Sequence, residues 1–233
     1  MNDTEPPNVP THVGFILDGN RRWARMHSIP EQDGHLAGYN ALHEVLEACF
    51  DAGIKYVSIY AFSTENWKRD KKEVSGLMRL ALHAVTRDLK DLIKHGVRTR
   101  FLGRREGMGA KLLGAIEKAE AATRDLTRGT FLVCFNYGGQ QELVDATRKC
   151  IEDGLRPEEV DEQAIASRLY GPDVPPLDLV VRTSGEQRLS NFMPWRSAYA
   201  ELLFLKKYWP DMTKEDVTAI IEEYSRRTRR FGG

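Results

Sequence analysis

The chain has 233 residues, 41% hydrophobic and 29% charged, enough apolar material for a full core and a balance that excludes a disordered polypeptide. Lys plus Arg and Asp plus Glu both number 34, so no overall field draws the chain to nucleic acid, and any anion must be held by a local cluster. The three cysteines, Cys49, Cys134 and Cys150, are odd in number and lack Cys-x-x-Cys spacing, which predicts buried reduced thiols and a cytoplasmic protein.

Residues 1–11 are polar and proline-bearing, without the basic-then-apolar pattern of a signal peptide, and read as a flexible lead-in to one domain over 12–233. No apolar run approaches the roughly 20 residues that span a bilayer. His12 to Leu17 is an apolar run ending at Asp-Gly-Asn, as a buried parallel strand ends at a functional loop. Apolar residues from Leu36 to Phe50 recur at helical spacing and predict a helix over 34–52, stopped by Gly53. A strand follows over 56–62, then a polar segment over 63–72. An amphipathic helix over 73–95 carries Val74, Leu77, Met78, Ala81, Leu82, Val85, Leu89 and Leu92 on one side. Alternation continues with strands over 97–102 and 130–135 and helices over 111–123 and 141–152. A helix over 162–169, strands over 177–181 and 201–205, and a helix over 214–227 complete the chain.

Alternating strands and helices predict an α/β fold: a single domain with a mostly parallel central sheet flanked by helices, whose ligands gather beyond the carboxyl ends of the strands. Three polar clusters occupy such ends. Asp18-Gly19-Asn20-Arg21-Arg22-Trp23 offers a carboxylate, a glycine that admits backbone N–H groups to a ligand, and arginines at a helix start. That is the chemistry of a phosphate site with Mg²⁺ beside it, although a capped turn has the same composition. Arg182, Thr183, Ser184, Glu186, Arg188, Ser190 and Asn191 follow a buried strand, and two guanidiniums with a serine make a fork for diphosphate oxygens. Ser63, Glu65, Asn66, Trp67 and Arg69 suit a flap that closes over a ligand, or a plain loop. Glycines 103, 107 and 109 with Lys111 fit neither phosphate-loop spacing, so a turn before a helix is the reading there. The histidines and unpaired cysteines form no zinc pattern, and no Gly-x-Ser-x-Gly elbow occurs.

In this order the clusters resemble the cis-prenyltransferase family, which includes undecaprenyl diphosphate synthases. The resemblance rests on His12 to Ala24, Gly34-His35-Leu36-Ala37-Gly38, Tyr60 to Trp67, Asn136-Tyr137-Gly138-Gly139, Arg182 to Phe192 and Arg229 to Gly233. It implies a Mg²⁺-dependent homodimer that adds isopentenyl diphosphate to an allylic diphosphate such as farnesyl diphosphate. An apolar tunnel between sheet and helices would hold the chain, and transient membrane contact would release the product. Asp18, with Glu201, is implied as metal ligand, and Asp18 and Asn66 as catalytic. Gly19, Asn20, Arg21, Arg22, Trp23 and His35 are implied around the allylic diphosphate. Arg182, Arg188 and Ser190 would hold isopentenyl diphosphate, with Ser63, Glu65, Trp67 and Arg69 on the closing segment and Arg230 from across the dimer.

Three residues depart from the family pattern: Glu31 where an Arg is common, Gln140 where an Arg is common, and Arg196 where a Gln is usual. The small Ala61 implies a long, undecaprenyl-type product for cell-wall synthesis, and Phe135 implies a shorter one; the expectation adopted is the long product. A short-chain or irregular synthase, and a non-catalytic subunit of a heteromeric enzyme, are the alternative readings.

Overall fold

The computed structural model describes residues 8–227. Six strands, β1 (His12–Ile16), β2 (Tyr56–Ser63), β3 (Val97–Leu102), β4 (Gly129–Tyr137), β5 (Leu179–Arg182) and β6 (Glu201–Phe204), form one sheet in the order β3-β4-β2-β1-β5-β6. Every pairing is parallel. Seven helices connect them: α1 (Asn20–Met26), α2 (Glu31–Asp51), α3 (Lys71–Lys94), α4 (Ala110–Thr123), α5 (Gly139–Glu152), α6 (Glu162–Ala166) and α7 (Lys214–Ser225). β1 and β5 are buried throughout, as expected of central strands covered on both faces.

From β1 the chain crosses to β2 on one side and pairs with β5 on the other. The β1–β5 gap is therefore where strand order reverses and where a ligand crevice opens beyond the carboxyl ends. Ile16 lies opposite Arg182 in that register, so residues just past Ile16 and the last residue of β5 are brought together.

Several boundaries differ from the sequence reading. Residues 20–26 form α1, a helix too short to stand out by periodicity. α2 starts at Glu31 rather than 34 because Pro30 is its N-cap. α3 starts at Lys71 rather than 73, capped by Asp70, whose carboxylate accepts the Lys72 N–H at 2.8 Å. The sixth helix stops at Ala166 rather than 169. The fifth strand starts at 179 because the Leu177 N–H is bonded to the Arg196 carbonyl at 2.8 Å instead of the sheet. Residues 8–11 are tied down rather than loose: the Asn8 N–H donates to Ser225 Oγ at 2.9 Å and the Thr11 N–H to Asp178 Oδ2 at 2.8 Å. Residues 1–7 lie outside the described residues.

α3 is the unusual element. It has 24 residues and an apolar stripe, yet none of its residues is buried. A helix whose apolar face is packed on a sheet buries that face, so α3 stands off the sheet and leaves a space beneath it.

Two buried polar groups fix the sheet. Arg196 and Glu142 pair at 2.9 Å with side chains only 3% and 1% exposed. Arg196 also donates to the Tyr170 and Gly171 carbonyls, which makes this departure from the family pattern a structural pair. His12 is fully buried, with Nδ1 2.9 Å from the Pro175 carbonyl and Nε2 2.7 Å from Ser58 Oγ. Burial lowers its pKa to about 4. The unfolded chain therefore takes up a proton that the folded chain refuses, and stability present above pH 6.5 is lost as pH falls toward 4. Urea unfolding of the wild type should lose about 2 kcal/mol from this group between pH 7 and pH 5, and His12→Asn should show a correspondingly shallower pH dependence.

Candidate active site

The site is built on Asp18, two residues beyond β1. Its backbone is clamped by Thr183, whose Oγ accepts the Asp18 N–H at 3.0 Å and donates to the Asp18 carbonyl at 2.7 Å. Its carboxylate lies between two guanidiniums: Arg182 donates to Oδ2 at 2.8 Å and Arg22 to Oδ1 at 3.2 Å. Arg182 is the buried partner, and its other terminal nitrogen reaches Ser190 Oγ at 2.8 Å and the Arg188 carbonyl at 2.5 Å. Arg22 also bonds Glu186 at 3.0 Å, and Arg188 donates to the second Glu186 oxygen at 2.5 Å. These two arginines hold the Glu186 carboxyl below its usual range, Arg188 most strongly.

Gly19 follows with φ of 106°, a left-handed conformation; a Cβ there would come within 2.6 Å of the Tyr208 ring. The chain then enters α1, which α2 crosses at contact distance. A Cβ on Gly34 would sit 2.3 Å from the Asn20 carbonyl oxygen, and one on Gly38 would sit 2.3 Å from Asn20 Oδ1. The two glycines let the α2 backbone close over Asn20 and set His35 between them facing the cleft. Leu17, Asp18, Gly19, Asn20, Arg21, Arg22, Arg25, His35 and Arg69 line this one polar cleft.

Every arginine of the cleft is held by a carboxylate. Arg21 and Arg25 both bond Glu31, at 2.8 and 2.7 Å, and hold its carboxyl below the usual range, Arg25 most strongly. Arg69 bonds Glu73 at 2.9 Å, and His35 Nε2 stands 3.7 Å from the same carboxylate. Burial lowers the His35 pKa, with Glu73 working in the opposite direction.

Two further features mark this edge as a ligand site. Asn20 Oδ1, His35 Nε2, Arg182 Nε and Ser184 Oγ are buried with no hydrogen-bond partner, and such orphans cost stability unless a ligand satisfies them. Ser184, Ser190, Asn191 and Met193 have φ of 80°, 48°, 69° and 44°, a run of strained non-glycine residues in one loop.

The 63–69 segment forms a 3-10 turn over Thr64–Lys68. Asn66 Oδ1 accepts the Ser63 N–H at 3.0 Å, Glu65 accepts from Asn191 at 3.0 Å, and Trp67 Nε1 donates to Asn136 Oδ1 at 2.7 Å. The turn is thus stapled to the strained loop and to the end of β4, with Arg69 as its cleft-lining member. Gln140 serves the same junction, its N–H donating to Asn191 Oδ1 at 2.7 Å.

Below the cleft an apolar cavity of about 160 Å³ opens between α2, α3 and the sheet. Leu17, Asn20 and His35 line both spaces, so a molecule with an anionic head and a hydrocarbon tail fits across the junction. Leu77, Ala81, Val85 and Leu92 of α3 form one wall, which accounts for the helix's lack of buried residues. Ala61 and Phe135 both line it. Ala61 is the extra residue of a bulge, since Tyr60 and Phe62 oppose the consecutive residues Cys134 and Phe135.

Two expected residues stand elsewhere. Trp23 turns from the cleft and donates to Asp211 Oδ1 at 2.6 Å, locking α1 to the 3-10 turn Trp209–Asp211. Glu201 opens β6, opposite Leu179, whereas Arg182 lies opposite Phe204; Glu201 is thus at the far end of the strand from Asp18, bonded to Arg227 at 3.1 Å. The reason is strand polarity: ligand groups gather at carboxyl ends, and Glu201 is at an amino end. Arg230 lies outside the described residues. Arg25 was missed, although its position one turn beyond Arg21 places both on one helix face. Tyr208, whose ring lies 5.9 Å beneath the Arg22 guanidinium, carries no sequence signal.

Among the described residues no three acidic, histidine or cysteine side chains converge as a metal cage. One aspartate among arginines fits Mg²⁺ all the same, because that ion is commonly bound by one or two carboxylates together with substrate phosphates.

Residues 16–232 match the family described as "Putative undecaprenyl diphosphate synthase". The isoprenyl transferase of Thermotoga maritima is 45% identical over 97% of both chains. A trans,polycis-polyprenyl diphosphate synthase of Thermobifida fusca, specific for (2Z,6E)-farnesyl diphosphate, is 42% identical over 97% of this chain and 81% of its own. Among solved structures, lavandulyl diphosphate synthase of Lavandula x intermedia in complex with dimethylallyl diphosphate superposes with a TM-score of 0.93 at 33% identity, covering 97% of this chain and 99% of that one. The parallel sheet, the paired polar cleft and apolar cavity, and these likenesses agree: the chain belongs to the undecaprenyl diphosphate synthase family of cis-prenyltransferases and is a prenyl-transferring enzyme.

Proposed function

We propose that the enzyme condenses isopentenyl diphosphate onto an allylic diphosphate to give a (Z)-prenyl diphosphate. The observation that carries this is the polar cleft sharing Leu17, Asn20 and His35 with the apolar cavity, joined through Asp18 to the Arg182, Arg188 and Ser190 cluster. In this reading the allylic diphosphate lies against Gly19, Asn20, Arg21, Arg22 and His35 with its tail in the cavity. Isopentenyl diphosphate lies at Arg182, Arg188 and Ser190. Ser63, Glu65, Asn66, Trp67 and Arg69 close the cleft and keep water from the carbocation.

Ionising the allylic C–O bond leaves negative charge on the departing diphosphate, and the fixed guanidiniums of Arg21, Arg22 and Arg69 lie where that charge develops. Arg182 and Ser190 aim the homoallylic double bond at the cation, converting an encounter into a held geometry. Asp18 would hold Mg²⁺, which would supply further neutralisation of the leaving group. Loss of a proton completes each addition.

Glu201 joins this site only from a second copy. Its place on the edge strand β6, beside the exposed Tyr199 and Leu202, supports a homodimer. Among the described residues no helix is long and apolar enough to cross a membrane, and an apolar product would leave by transient contact at the membrane surface. A second reading, irregular condensation of two five-carbon units, is favoured by the likeness to lavandulyl diphosphate synthase. Mass analysis of products from dimethylallyl diphosphate alone separates the two, because only the irregular reaction proceeds without isopentenyl diphosphate.

Two variants test the assignments. Asp18→Ala should keep the wild-type circular dichroism spectrum and lower kcat by about 100-fold or more in assays with labelled isopentenyl diphosphate; retention of the wild-type rate would remove Asp18 from the mechanism. Glu31→Gln should free Arg25, and Arg21 from all but its distant Glu73 contact, and tighten inorganic pyrophosphate by about 1.5-fold to fivefold in calorimetric titration, the range that exposed ion pairs command. Weaker binding would mean that Glu31 poises the two arginines for the anion rather than competing with it.

A further inference from the structure

The apolar cavity does not end at a wall of hydrocarbon. Beyond it lies a second cavity of about 320 Å³, reached past Leu42, Asp88, Leu92 and Phe131, which line both spaces. His43, Glu47, Asp91 and Arg128 line the second cavity together with apolar residues such as Leu46, Phe50 and Val97. Asp88 is the one carboxylate among the described residues lining the first cavity. Its side chain is 19% exposed, an unusual site for a charge unless it is paired.

Asp88 has partners on the facing helix. Tyr39 of α2 donates to Oδ1 at 2.6 Å, and His43, one turn further along α2, places Nε2 3.5 Å from Oδ2. The Tyr39 ring meets His43 edge-on at 4.8 Å and His83 of α3 at 6.3 Å. A polar bridge thus ties α2 to α3 across the space that α3 would otherwise leave continuous. Asp88 stands with Leu42, Leu92 and Phe131 where the two spaces meet, so parting the bridge to admit a hydrocarbon chain there leaves a phenol and a carboxyl unpaired against apolar groups.

The volumes give the scale. A dry apolar cavity of about 150 Å³ takes a single benzene molecule, so the 160 Å³ on the cleft side accommodates a short prenyl tail. The larger space lies behind the bridge.

We propose that the Tyr39–Asp88 bridge, backed by Leu42, Leu92 and Phe131, is the specificity determinant that ends the hydrocarbon path and confines this prenyltransferase to short products. The proposal rests on the reading that the allylic tail grows into the cavity, and it replaces the long-product expectation drawn from Ala61. Ala61 widens the cavity near β2, whereas the bridge sets how far a chain can go.

The test sizes the dephosphorylated products of the full-length enzyme, supplied with Mg²⁺, dimethylallyl diphosphate and isopentenyl diphosphate, by mass spectrometry. The wild type should stop at short chains. Asp88→Asn, which still accepts the Tyr39 hydrogen bond, should stop at the same length. The double variant Tyr39→Phe with Asp88→Leu should lengthen the main product by one isoprene unit or more. Leu92→Ala opens the same wall without touching a polar group and should lengthen it as well, which keeps the test decisive if the double variant does not fold. Long products from the wild type, or unchanged length in the opened variants, would overturn the bridge while leaving the elongation reading intact. A wild type that adds isopentenyl diphosphate to neither dimethylallyl diphosphate nor farnesyl diphosphate would overturn the elongation reading, and the bridge with it.

Discussion

The Asp18 carboxylate is shared by two guanidiniums brought to it from opposite directions, Arg22 from the helix that follows β1 and Arg182 from the end of β5. This is a consequence of parallel pairing at the switch point of the sheet, which delivers both chain ends to one place. The arrangement gives the buried Arg182, only 5% exposed, a paired carboxylate. Under the proposed function an arriving diphosphate would take the arginines from the carboxylate and leave it free to hold a cation. These two ion pairs would then make the anion and metal sites interdependent.

The surrounding structure serves that arrangement. Thr183 fixes the Asp18 backbone from both sides, and Gly34 with Gly38 lets α2 lie close enough to seat His35 and Asn20 at the junction of cleft and cavity. The strained residues 184, 190, 191 and 193 bend the segment after β5 back over the cleft, where Asn191 is tied to the 63–69 turn. Strain is tolerated here because Arg182, Asn191 and the Arg196–Glu142 pair over-determine the path of the loop. The standing-off of α3 is the counterpart on the apolar side: a helix that buried its stripe on the sheet would leave no room for a tail.

Much of this could be read in the sequence because it follows from period and position. Strand and helix alternation predicted the parallel sheet, and the polar clusters at 18–23, 63–69 and 182–191 fell at strand ends where parallel topology puts ligands. What was lost depended on three-dimensional direction. Trp23 sits in the right segment, yet it points to Asp211 because α1 turns it away from the cleft. Glu201 lies at the amino end of its strand, away from Asp18 of its own chain. The Tyr39–Asp88 bridge joins residues 49 positions apart, and nothing in either helix's own pattern distinguishes an aspartate that faces a cavity from one that faces water. α1 showed only as a helix start at its arginines, because seven residues are too few for a period to be visible.

The linkage between the two charges is the most direct point of attack. Calorimetric titration of the wild-type enzyme with inorganic pyrophosphate, in the presence and absence of Mg²⁺, measures whether the anion and the metal assist each other at Asp18. The expected result is that Mg²⁺ tightens pyrophosphate by about tenfold or more, a coupling of about 1.4 kcal/mol, and that Asp18→Ala removes this gain. Equal affinity with and without Mg²⁺ in the wild type would contradict the interdependence of the two sites.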